Sequence, residues 1–142
     1  MKRTISIILI LVMMMAGCTS SNDSRLESHT WSMTTVQSTD ADGQVIAHGP
    51  GGESTLDSAI EVELKCTMAN GKITLTDKTN TQTYNGTYSL KSSDVKSEII
   101  NVSIGETTGV AVCSVTTYSD DTEVDTLIIR LGDYTMNFFP AE

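Results

Sequence analysis

Across residues 59–68 apolar side chains fall on every second position: Ile60, Val62, Leu64, Cys66 and Met68 alternate with Glu61, Glu63, Lys65 and Thr67. Successive side chains of a strand point to opposite faces, so this pattern predicts a half-buried strand with one charged face. Asn70-Gly71 follows, a pair favoured in two-residue hairpin turns. A turn there sets Met68 opposite Ile73 and Cys66 opposite Leu75. With a loop over residues 78–81, Leu75 then faces Tyr84 and Ile73 faces Gly86. A turn at Gly105-Glu106 joins Ile100, Val102 and Ile104 to a strand with Ala111, Cys113 and Val115 inward, although Val110 and Val112 give its other face a comparable claim. Gly132-Asp133 sets Leu131 against Tyr134, Ile129 against Met136 and Leu127 against Phe138. Three hairpins therefore agree in phase, and a one-residue slip would turn each apolar set to the wrong face.

Asn85-Gly86 resembles another hairpin turn, but the alternation runs through it, with Tyr84, Gly86, Tyr88 and Leu90 on one face. Gly86 is thus expected inside a strand, where a missing side chain lets the sheet bend or leaves room beside it. Elsewhere Thr, Ser, Val and Ile dominate between regularly spaced turn residues, which predicts an all-β domain. Consecutive hairpins and about eight strands favour an antiparallel up-and-down β-barrel, because closure removes exposed edges. A two-layer β-sandwich is the alternative, since alternation alone does not show whether the first and last strands pair. At most one short helix is expected. Residues 40–58, with Asp42-Gly43 and Gly49-Pro50-Gly51-Gly52, read as a mobile connection covering one barrel end.

The N-terminal pattern is of another kind. Lys2 and Arg3 precede an apolar run over residues 5–15 broken only by Ser6, followed by Ala16, Gly17 and Cys18. A charged start, a short apolar middle and small residues at a cleavage site describe a secretory signal peptide. The run falls short of the about 20 apolar residues a spanning helix needs. Met15-Ala16-Gly17-Cys18 resembles the lipobox of bacterial lipoproteins. That resemblance implies cleavage before Cys18, lipid on its thiol, and attachment to a cell membrane facing outside the cytoplasm. The chain then divides into a signal peptide (1–17), a lipidated tether (18–25) and a barrel domain (26–142).

The formal charge is −9, and loss of the two cations Lys2 and Arg3 on cleavage makes it −11. Such an acidic domain argues against nucleic acid as a partner and against adhesion to anionic headgroups. With Cys18 used for lipid, Cys66 and Cys113 remain as either a disulfide or two reduced core cysteines. No Cys or His pair has zinc-ligand spacing. Residues 38–43 echo the start of a calcium-binding loop, but Gly49 stands where the closing Glu belongs. Asp120, Asp121, Glu123 and Asp125 concentrate carboxylates at an expected hairpin tip, which reads as a solvated loop. Neither His29 nor His48 is matched to a nucleophile, and Ser54 lacks a Gly-x-Ser-x-Gly setting. No enzyme and no cofactor are expected.

Trp31 near the start of the first strand within residues 26–33, a long Gly-rich loop, and Tyr84-Asn85-Gly86-Thr87-Tyr88-Ser89-Leu90 together resemble the lipocalin-like domains of bacterial lipoproteins, over residues 25–139. His29-Thr30-Trp31 lacks the glycine of the Gly-x-Trp signature, and alternation would point Arg130 outward, away from that tryptophan. The resemblance implies a barrel holding a small apolar or amphipathic ligand. Candidate pocket residues are Trp31, Met68, Tyr84, Gly86 and Tyr88, with Trp31 read first as a plug at the closed end. The other reading is a structural or protein-interaction module of the cell envelope with a filled core. A cavity open at one barrel end favours the first, and a solid interior the second.

Overall fold

The structure is a computed structural model that describes residues 24–52 and 57–142. A single helical turn, α1 (Arg25–Ser28), leads into β1 (Trp31–Ser38), a 3-10 turn (Thr39–Ala41), β2 (Val45–His48), β3 (Ile60–Glu61) and β4 (Leu64–Ala69). The chain then meanders through β5 (Lys72–Asp77), β6 (Gln82–Ser93), β7 (Ser97–Ile104), β8 (Thr107–Thr117), β9 (Glu123–Leu131) and β10 (Tyr134–Pro140). β4 through β10 are each paired with the next, β1 pairs with β4, and β10 returns to pair with β1. The result is a closed antiparallel barrel of eight strands, with β2 and β3 outside the ring. The β1–β10 ladder, from Trp31 opposite Pro140 to Ser38 opposite Tyr134, excludes the sandwich.

The hairpins take the expected register. Met68 faces Ile73 and Cys66 faces Leu75 across a turn in which Asn70 and Gly71 both have positive φ, as a twist-matched two-residue turn requires. Leu75 faces Tyr84, Ile100 faces Ala111, and Ile129 faces Met136. Their inward side chains form one interior, with Trp31, Cys66, Ile73, Ile100, Ala111, Cys113, Leu127 and Ile129 fully buried. Full burial of each large apolar side chain contributes about 1.5–3 kcal/mol. β8 is apolar on both faces: Ala111 and Cys113 enter the core, while Val110 and Val112 line an outer groove with Ile128 and Arg130.

Two inward glycines bend the wall. A Cβ on Gly86 would stand 2.1 Å from the Ser103 carbonyl oxygen, and one on Gly109 1.9 Å from that of Arg130. Gly86 pairs with Ile104 and Gly109 with Val102, so sharp corners flank β7 on both sides. In β1 the register shifts between Met33 and Thr35. This bulge changes the phase, so Met33 opposite Phe138 and Val36 opposite Met136 both point inward although three positions separate them.

Two sequence expectations are corrected. Residues 59–68 are not one strand: β3 pairs in parallel with β2, Ile60 is 61% exposed, and only β4 joins the ring. The cause is β2, which takes the edge of β1 from Thr35 to Gln37 and leaves β4 only Trp31 and Ser32. Residues 40–58 therefore contain a paired strand. Leu26 and Arg25 belong to α1, a single short helix.

Candidate functional site

The two barrel ends differ in how their strands finish. At the first end, α1 lies across the interior with Leu26 buried, and the Trp31 Nε1–H donates to the Leu26 carbonyl oxygen at 3.0 Å. His29 stacks edge-on against Trp31, with ring centres 5.1 Å apart. Arg25 and His29 both reach Asp125, at 2.7 and 2.8 Å. Burial pushes the Asp125 carboxyl up, but the hydrogen bonds and charges of His29 and Arg25 outweigh it and hold the group below its ordinary value. Glu98 accepts from the Leu26 N–H at 3.2 Å and from the Ser24 hydroxyl at 3.3 Å. Glu27 accepts from the Tyr88 hydroxyl and from the Asn70 N–H. Burial, then this bond to Glu27, pushes Tyr88 up to about 12, so its hydroxyl stays a donor. This end is plugged.

At the other end the β5–β6, β7–β8 and β9–β10 turns are short and place no side chain over the interior. The last inward residues of the strands line a cavity of about 430 Å³ instead. Val36, Val62, Leu64, Leu75, Ile104, Leu131 and Met136 make its wall apolar. Asp77, Tyr84, Thr107 and Tyr134 supply its polar groups. All eight strands of the ring, or the residue leading into them, contribute to it. Tyr84 and Tyr134 stay exposed at the mouth, and the Tyr84 hydroxyl donates to Gln82. Asp77 is 8% exposed and accepts from the Asn80 side-chain amide at 2.7 Å and its backbone N–H at 2.9 Å. These bonds hold its carboxyl below the ordinary range, so it is an anion at the cavity wall.

Of the five candidate pocket residues, Tyr84 lines this cavity. Trp31 and Met68 are buried in the packed half, and Tyr88 is tied to the plug. Gly86 sits between the halves, opposite Ile73 and Ile104, and acts on the wall's curvature. Cys66 and Cys113 are both buried, and no bridge joins them in the structure. β4 and β8 are four places apart in a ring of eight, hence on opposite walls. Burial pushes both thiols up to about 12. Cys18 lies outside the described residues.

Reading the sequence missed Val36, Ile104, Leu131 and Asp77 as cavity residues. A signal existed for two of them: Ile104 and Leu131 are the last inward residues before Gly105 and Gly132. None of the described residues in 40–58 lines the cavity, so the expected covering role of that segment has no contact to support it. Among the described residues no helix is long and apolar enough to cross a membrane.

The fold and site together define a closed eight-stranded barrel with one plugged end and one apolar, open end. Comparison with protein families, curated proteins and solved structures finds no significant match to this chain.

Proposed function

We propose that the protein is a lipocalin-like lipoprotein, anchored through Cys18 on the outer side of a cell membrane, that holds a small apolar or amphipathic molecule in the open end of its barrel. The observation that carries the binding reading is the cavity itself. Its wall is mostly apolar, with Asp77, Tyr84, Thr107 and Tyr134 as its polar groups, and an eight-stranded ring is wide enough for one small ligand. The anchoring reading rests on the charged start, the apolar run and Met15-Ala16-Gly17-Cys18. Two acyl chains would give the double attachment that stable anchoring requires.

Native mass spectrometry of the protein purified from its host tests the binding reading. A bound small molecule is expected, and Leu131→Trp, which fills the cavity, should release it. A wild-type protein that carries nothing and a variant indistinguishable from it would overturn the reading. Cys18→Ala should abolish lipid attachment and partition into detergent, and an unlipidated wild-type N-terminus would refute the anchor. The packed half of the interior, with the outward groove of Val110, Val112 and Ile128, is the observation that favours the alternative of an interaction module.

A further inference from the structure

The turns around the mouth carry an excess of negative charge. Asp40 and Asp42 stand in the β1–β2 connection, Glu106 in the β7–β8 turn and Asp133 in the β9–β10 turn, and all four are exposed. The first and last of these connections touch, since the Thr39 N–H donates to the Asp133 carbonyl oxygen at 2.9 Å. Asp77 adds a fifth carboxylate within the cavity wall. Among the described residues the one cation on a mouth turn is Lys78, and Glu63 lies 3.1 Å from it. Arg130 is near this end but points outward into the groove on the barrel's outer face. Arg25, Lys72, Lys91 and Lys96 belong to the plugged end.

We infer that the cavity selects amphipathic molecules whose polar head is cationic and disfavours those whose head is anionic. This rests on the reading of the open end as a binding site and assigns its ligand class. An apolar tail in the cavity, against Leu75, Ile104 and Met136, leaves the head at the level of Asp77 and Tyr134, inside the ring of carboxylates. A cation there meets Asp77 at the cavity wall and the other carboxylates through solvent. An anion meets the same groups with the sign reversed, and among the described residues no cation lines the cavity. Individually the rim charges act weakly at about 10 Å in water, yet several of one sign sum to a preference of about tenfold at low salt. The preference is screened by added salt, whereas the contribution of the tail is not.

The full chain, held in nanodiscs of zwitterionic lipid and referenced to empty ones, can be titrated calorimetrically with octyltrimethylammonium, octanol and octanoate. The cation is expected to bind about tenfold more tightly than octanoate at low salt, with octanol between them and the gap closing as salt rises. Glu106→Gln combined with Asp133→Asn, at two exposed turn positions, should shrink the gap about threefold without altering octanol binding. Octanoate binding as tightly as the cation would overturn the charge selection and leave the cavity reading standing. Binding of none of the three would overturn both.

Discussion

At one end of the barrel Trp31, Phe138 and Leu26 are sealed under a helical turn, whereas at the other Val36, Ile104 and Leu131 of the same closed sheet face a cavity. The sheet is not the same at both ends, since β1 pairs with β4 only at Trp31 and Ser32 and with β2 from Thr35 to Gln37. What crosses the axis differs too. At the plugged end an aromatic ring fills the ring of strands, and α1 covers it through polar bonds to the β4–β5 turn, β6, β7 and β9. At the open end the turns are short, and Ile104 and Leu131 beside them line the cavity. A small barrel thus acquires polarity along its axis from a single helical turn placed before its first strand.

The contrast is sharpest for large side chains. Trp31→Ala should cost about 3–5 kcal/mol, because it empties a fully buried site and leaves the Leu26 carbonyl without its donor. Urea unfolding followed through tyrosine fluorescence or circular dichroism measures it. A loss below 1 kcal/mol, on the order of a surface change, would mean that the plug is ornamental.

Asp125→Asn should cost less, about 1–3 kcal/mol, by weakening the bonds to Arg25 and His29. It should also change the response to acid. A carboxyl held below its ordinary value of 3.8 in the folded protein stabilises fully above that value. The contribution fades as pH falls toward and through the lower folded value. The difference in melting temperature between wild type and Asp125→Asn should therefore be constant above about pH 5 and close progressively below about pH 4. A difference that widens with acid would show that the network is not built on the Asp125 anion.

At the open end Ile104→Ala and Leu131→Ala should each cost only about 1 kcal/mol, since both side chains are only partly buried and border an open cavity. Losses equal to that of Trp31→Ala would erase the distinction between the ends. The smallest expected signal is chemical. In the protein lipidated on Cys18, Cys66 and Cys113, buried with raised thiols, should give almost no colour with a disulfide reagent at pH 8 in the native state, and two equivalents after denaturation.

The register of this barrel was legible because Asn70-Gly71, Gly105-Glu106 and Gly132-Asp133 mark turns and each aligns apolar with apolar. The placement of Gly86 inside a strand followed from the same alternation. The plug was not legible. Arg25 meets Asp125 across 100 residues, and nothing local distinguishes a tether arginine from a pinned one. β2 escaped because four residues between Asp42-Gly43 and Gly49-Pro50 look like part of a loop until a neighbour pairs with them. Val36 escaped because the bulge in β1 breaks the period that sequence reading depends on. The cavity could be anticipated in kind, but its walls follow from the bulge, the glycine corners and the turns acting together.

The pairing of the first strand with the last has a consequence for how the chain is made. Trp31 meets Pro140 and the Ala141 N–H reaches the Thr30 carbonyl oxygen at 2.7 Å, contacts that span nearly the whole domain. Loops of that length close late and slowly, placing such topologies among the slower folders, with times of roughly milliseconds to seconds. Until residue 134 and those after it emerge, β1 and β9 each carry an unpaired edge. A chain stopped short of β10 would thus be no smaller barrel but an open sheet, prone to find its missing strand in another molecule.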